Sequence, residues 1–175
     1  MEIVFGDGDE IAMKMALGEI EVCMLPVPNT TSILVKNALG SGVGISFDLG
    51  EEWEKVCENG SSLTMGCIAV RREFAEKHPE AVAEFLSRCE SSVNFVLSDP
   101  NGAAQLIAKH GITGSSEIAL YAIPDSGIEW LTGDEIKSAL AGYLDVLFSS
   151  DPASVGGAMP DDGFYYANAE YEKNK

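Results

Sequence analysis

Three short stretches of the chain carry residues that could hold a small molecule. Asn29 and Thr30 follow a proline pair and precede an apolar helical pattern, so the start of that helix could bind a carboxylate, sulfonate or nitrate group. A glycine in the extended run 63–70 would let a ligand approach the backbone. The turn that begins at Asp7 lies between a predicted strand and a predicted helix. The candidate ligand-binding residues are Asp7, Pro28, Asn29, Thr30, Thr64, Met65 and Gly66.

Each of these stretches also has a purely structural interpretation. Asn29 is a residue type that caps helices, and the turn Asp7-Gly8-Asp9 could equally be a helix cap. Gly66 could be a small residue that a strand needs for packing. The sequence leaves both interpretations open at every one of these positions.

Motifs of known catalytic chemistry are absent from the sequence. There is no GxSxG elbow, no HExxH, no P-loop and no dinucleotide-binding fingerprint. The cysteines are scattered without CxxC spacing, and the two histidines do not complete a zinc site. The sequence therefore predicts no metal, no cofactor and no catalytic residue, and it leaves open whether any of the cysteines pair. They are Cys23, Cys57, Cys67 and Cys89.

The charge balance excludes one class of partner. The chain has 28 acidic and 11 basic residues and a formal net charge of −17. A protein that binds nucleic acid neutralises phosphates with clustered lysines and arginines, and the only basic cluster here is Arg71-Arg72.

The sequence predicts neither a signal peptide nor a membrane span. The N-terminus lacks the basic stretch and the apolar stretch of a signal peptide, and no apolar run is long enough to cross a membrane.

The elements that would position the candidate residues alternate in type over the first third of the chain. Apolar runs at 3–5, 21–25 and 43–47 predict strands. Helical patterns lie between them, the first capped by Asp9 and the second by Asn29 or Thr30. Strands joined by helical crossovers are typical of a parallel α/β unit.

The rest of the chain has a different pattern. One extended run at 63–70 is followed by helices from residue 73 onward, including a strong stripe of period 3.6 after Pro79. The pair Asp99-Pro100 predicts the end of that helix and the start of the next. Thr132, with Glu135 three residues later, predicts the capped start of the last helix. Both parts therefore look like incomplete pieces of an α/β protein. The predicted organisation is an α/β portion at 1–57, a loop and strand at 58–70, a helical portion at 71–166 and a polar tail at 167–175.

Five motifs in order resemble one protein family. They are GEIEVCMLPVP at 18–28, DLGEEW at 48–53, MGCIAVRREF at 65–74 with HPEAV at 78–82, TGDE at 132–135, and GGAMPDDGFYY at 156–166. This series is similar to the solute-binding proteins of ABC importers for nitrate, sulfonate, taurine and thiamine precursors. The resemblance covers about residues 2–166, and it implies that 48–53 is the end of a strand and a turn.

The resemblance implies an incomplete two-lobe fold of the type II periplasmic binding proteins. Residues 1–57 would be the latter part of lobe two, 63–70 a hinge strand, and the later helices part of lobe one. The implied function is non-enzymatic: capture of a small anionic or heterocyclic solute by lobe closure and delivery to an ABC permease. The full-length protein would be extracytoplasmic, and two copies could complete each other as a homodimer by exchanging segments.

Two other functions stay open at this point. Some relatives of the thiamine-precursor binders are biosynthetic enzymes, and Cys23 or Cys67 would then be the candidate reactive group. The chain could also be a truncated remnant that binds nothing.

Overall fold

The computed structural model describes residues 5–37, 42–167 and 171. All regular secondary structure within these residues is helical, and none of the helices is long and apolar enough to cross a membrane. Three short 3-10 helices lie at Ile123–Asp125, Pro152–Val155 and Asp162–Phe164. The α-helices are α1 (Gly8–Ala16), α2 (Asn29–Asn37), α3 (Leu49–Val56), α4 (Arg72–Lys77), α5 (Pro79–Ser98), α6 (Pro100–Lys109), α7 (Ser116–Ala122) and α8 (Gly133–Ser150).

The predicted α/β class is wrong for the part of the chain that the structure describes. The runs at 21–25, 43–47 and 63–70 contain no strand, and several of their apolar side chains are exposed. An apolar run can favour an extended backbone, but a strand also needs a neighbour to pair with its N–H and C=O groups. Since no sheet forms among these residues, the two-lobe fold of a type II periplasmic binding protein is overturned too. The first predicted strand lies outside the described residues except for Phe5.

Two helix starts differ from the sequence prediction. Asp7, not Asp9, caps α1, because its Oδ1 accepts a hydrogen bond from the Asp9 N–H at 2.9 Å. The segment after Asp48 was interpreted as a strand end and turn, yet it forms α3. Asp48 stabilises this helix start by accepting hydrogen bonds from the N–H groups of Gly50 and Glu51.

The later helices were predicted more accurately. The stripe after Pro79 forms α5, a helix of 20 residues. Asp99 lies between α5 and α6. It caps α6 by accepting a hydrogen bond from the Gly102 N–H at 3.0 Å, and Pro100 lies in the first turn of α6. Thr132 is the residue before the first turn of α8, as predicted, but its side chain makes no capping hydrogen bond to this helix. At α6 the boundary follows from local signals, because a capping residue and a proline fix the helix start.

The chain divides into two compact units. Unit 1 comprises Met1–Gly44 and Ser91–Glu129, and unit 2 comprises Ile45–Glu90 and Trp130–Lys175. The fourfold division along the sequence at residues 57, 70 and 166 stays a prediction.

The core of unit 1 is built from small side chains. Ala103 and Ala104 of α6 pack with Ala119 of α7 and with Ile123, and all four are buried. Alanines let two helix backbones approach closely, and the larger side chains of Val96, Ile107 and Leu120 surround this contact. In the same unit α2 packs on both α1 and α7.

Unit 2 contains a chain of hydrogen bonds centred on a buried serine. Ser61 is only 3% exposed. Its Oγ accepts from the indole N–H of Trp53 at 3.0 Å and donates to the Asn59 Oδ1 at 2.6 Å. The Asn59 amide in turn donates to the carbonyl of Gly142 in α8 at 3.1 Å, and the Trp53 ring lies 5.3 Å from the ring of Tyr143. The loop at 58–62 is therefore held against α8 by polar contacts, and the buried Ser61 hydroxyl has both a donor and an acceptor.

We expect Gly142→Ala to destabilise the protein. In an open helix this change stabilises by about 1 kcal/mol, because alanine is the better helix former. Here the new Cβ would lie 2.8 Å from the Ser61 Cβ and 3.0 Å from the Asn59 side chain, so overpacking should outweigh the gain and cost about 1–3 kcal/mol. Urea unfolding followed by tryptophan fluorescence measures the change.

Gly66→Ala is the control for this substitution. A Cβ at Gly66 meets nothing within 4 Å, so we expect an unfolding midpoint equal to that of the wild type or slightly higher, because alanine restricts the unfolded chain more than glycine does. A stabilised Gly142→Ala protein would show that the loop does not pack on α8 as described.

Candidate functional site

The best-defined polar cluster of unit 1 joins the starts of α1 and α2. The side-chain amide of Asn29 donates to the Oδ1 of Asp9 at 2.8 Å, and the Asp9 N–H donates to Asp7. Gly8 lies between the two acids, and a Cβ built on it would be 3.4 Å from the Asn29 amide nitrogen. Two stretches that the sequence analysis treated separately are thus brought together.

The start of α2 is less open to an anion than its sequence suggests. The Thr30 N–H donates to the Pro26 carbonyl at 3.2 Å, and the Ser32 N–H donates to the Pro28 carbonyl at 2.9 Å. The Thr30 hydroxyl donates to the Leu25 carbonyl at 3.1 Å. Because these donors already have acceptors within the chain, they are not free for a carboxylate or sulfonate. The peptide bond between Val27 and Pro28 is cis.

The chemistry that this cluster can perform comes from its carboxylates. Asp7 and Asp9 are exposed, and Asn29 is half-buried. A carboxylate that is oriented by a neighbouring amide can accept a proton from a bound molecule, which is the role of a general base. Asp7 is already committed to capping α1, so Asp9 is the carboxylate available for this role.

The other candidate residues lie in unit 2. Thr64 is half-buried, whereas Met65 and Gly66 are exposed in a segment without regular secondary structure, and a Cβ at Gly66 would meet nothing within 4 Å. Their role in ligand binding stays a prediction, as does that of Asp7, Pro28, Asn29 and Thr30. Within the ranges that the structure describes, no group of three or more His, Cys, Asp or Glu side chains could hold a metal ion.

Asp9 belongs to the candidate turn Asp7-Gly8-Asp9, but only Asp7 of this turn was predicted to bind a ligand. Asp9 was predicted to cap the helix, although Asp7 followed by Glu10 is the better capping pattern because the two are three residues apart. The partner of Asp9 is Asn29, twenty positions along the chain, and no sequence signal predicts that contact.

All four cysteines are free thiols. Cys67 is exposed, whereas Cys23 is partly covered and burial raises the pKa of its thiol above the usual value. The two cysteines that the enzyme interpretation singled out therefore lie in different surroundings.

A comparison with protein families decides the affiliation of the chain. A family model described as menaquinone biosynthesis matches residues 32–147, about two thirds of the sequence. The chain belongs to the menaquinone biosynthesis family. The match begins within α2 and includes residues 64–66, while Asp7, Asp9 and Asn29 lie before it. No curated protein and no solved structure matches the chain.

This match overturns the assignment to the solute-binding proteins of ABC importers. The motifs that carried that resemblance are short combinations of apolar runs, glycines and prolines. Such combinations report where a chain turns, and unrelated chains share them. Capture of a transported solute is therefore not the function of this family member.

The predictions that depended on the importer assignment are corrected with it. An ABC permease is not an expected partner of a biosynthetic protein, and the solute and the segment-exchanged homodimer lose the argument that supported them. The conclusion that the protein is not an enzyme is also wrong, since membership of a biosynthesis family implies an enzymatic role. An extracytoplasmic location stays an untested prediction.

We expect Asp7→Ala to weaken α1. Loss of the capping carboxylate leaves the Asp9 N–H without its acceptor and should lower the free energy of unfolding by about 0.5–2 kcal/mol. Asp7→Asn is the control, because asparagine caps helices about as well as aspartate. Urea unfolding of the two variants tests this, and equal losses in both would contradict the capping role.

We expect alkylation to distinguish the thiols of Cys23 and Cys67. Iodoacetamide reacts with the thiolate, so a raised pKa and partial burial should slow the reaction at Cys23. Mass spectrometry of peptides after brief labelling at neutral pH should show Cys67 modified first. Faster labelling of Cys23 would mean that the segment around it opens readily.

Proposed function

We propose that this protein is an enzyme of menaquinone biosynthesis and that Asp9 takes part in its chemistry as a proton acceptor. The observation that supports the enzymatic role is the family match over about two thirds of the chain.

The geometry at the starts of α1 and α2 supports the assignment of Asp9. Menaquinone is a quinone, and forming a ring that carries carbonyl groups requires proton transfers at the neighbouring carbon atoms. A carboxylate on a helix start, held by an amide 2.8 Å away, is suited to such a proton transfer. Asn29 would keep the Asp9 carboxylate in one orientation while leaving its second oxygen for the substrate.

The family assignment is tested in cells that cannot make menaquinone. The protein is expressed in a panel of strains, each blocked at a different step of the pathway, and menaquinone is quantified by mass spectrometry. We expect menaquinone to be restored in one strain only, because an enzyme can replace only the step that it catalyses itself. A soluble, folded protein that restores none of them would contradict the proposed function.

The role of Asp9 is tested with Asp9→Asn in the strain that is restored. A general base contributes about 10²- to 10⁴-fold to a rate, so the variant should lose restoration and show a reduction of this order in turnover. Glu10→Gln is the matched control, since it removes one exposed charge from the next position of α1 and should leave turnover unchanged. If both variants keep wild-type turnover while the wild type still restores menaquinone, the family function stands and the assignment of Asp9 is wrong.

A further inference from the structure

Two basic side chains of unit 2 meet at one short turn of the chain. The guanidinium of Arg72, on α4, donates to the carbonyl of Gly163 at 2.8 Å. The ammonium of Lys137, on α8, donates to the Oδ1 of Asp162 at 2.6 Å. Two cations from separate helices therefore bind neighbouring acceptors: the carboxylate of Asp162 and the carbonyl of Gly163.

The turn is built to present these two acceptors together. Asp161 caps the 3-10 helix by accepting from the Gly163 N–H at 2.9 Å. A Cβ at Gly163 would lie 3.1 Å from the Asp161 carboxylate and 3.3 Å from the Arg72 guanidinium. A residue without a side chain at this position thus allows the arginine to reach the backbone.

The contact between Lys137 and Asp162 is easily exchanged. The Asp162 side chain is 89% exposed and that of Lys137 is 46% exposed. Ion pairs this open to water contribute little to stability, because water solvates both charges well when they separate. A dissolved anion could therefore take the place of Asp162 without unfolding the unit.

We propose that Arg72 and Lys137 form a binding site for a small dicarboxylate, and that Asp162 and the Gly163 carbonyl occupy this site as an internal ligand. The planar guanidinium of arginine suits one carboxylate through two parallel hydrogen bonds, and lysine supplies a point charge for the second. Binding displaces the turn at 161–165, so ligand and turn compete for the same two cations.

The two cations of the site predict that it discriminates by charge number. A monocarboxylate can satisfy only one of them, so contact with both Arg72 and Lys137 should make a dicarboxylate bind better than acetate. The surroundings act in the opposite direction. Asp134 lies near Lys137, Asp161 lies in the turn itself, and the whole chain carries a net charge of −17, so a dianion is repelled more strongly than a monoanion.

Isothermal titration with malonate at low ionic strength tests the site. Asp162→Asn removes the competing charge, and from the size of surface ion pairs we expect malonate to bind about two- to fivefold more tightly than to the wild type. Asp145→Asn is the control, because it removes an exposed aspartate elsewhere on α8 and reduces the net charge equally. Equal affinity of these two variants, or no binding of malonate to any of them, would overturn the proposal.

A second set of measurements identifies the cations and does not depend on Asp162→Asn folding. Lys137→Met and Arg72→Gln are made singly, with Asp162 left in place. Each should abolish malonate binding, and circular dichroism should show that the helices are intact. Malonate should also speed chymotrypsin cleavage after Phe164 and Tyr165, because it releases the turn. Unchanged cleavage, or binding that survives loss of either cation, would refute the competition. Neither result bears on Asp9, which the proposed catalytic function requires.

Discussion

The fold depends on how the chain satisfies the free N–H groups at its helix starts. Each helix leaves such donors without a partner in its first turn, and a side-chain acceptor just before the helix removes that cost. Aspartates provide this acceptor at five starts within the described ranges, and Ser115 provides it for α7. The five aspartates are Asp7, Asp48, Asp99, Asp151 and Asp161. Part of the acidity of the sequence is therefore structural.

Features encoded within a few residues were predictable from the sequence. The stripe after Pro79 and the pair Asp99-Pro100 predict α5 and α6, because a helix makes its hydrogen bonds between neighbours along the chain. The predicted sheet failed for the opposite reason. Runs such as 63–70 have an apolar pattern that suits a strand, but a strand is completed only by a partner strand, whose position in the sequence is not restricted.

The candidate site likewise combines features that local sequence predicts with contacts that it does not predict. Both Asp7 and Asn29 were recognised as residues that could bind a ligand or cap a helix, and local pattern allowed no choice between the two. The hydrogen bond between Asn29 and Asp9 joins residues twenty apart, and that between Asn59 and Gly142 joins residues eighty-three apart. Contacts of this kind depend on packing, so they appear only in the structure. The family itself was missed because motifs of turn and strand residues are shared by many chains.

The alanine contact between α6 and α7 has a consequence for the entropy of folding. A buried leucine or methionine gives up rotamer freedom when it packs, whereas alanine has none to lose. Ala103, Ala104 and Ala119 therefore bring α6 and α7 together without a loss of rotamer freedom at these positions. The side chains that do lose such freedom are the larger ones packed around them, Val96, Ile107 and Leu120.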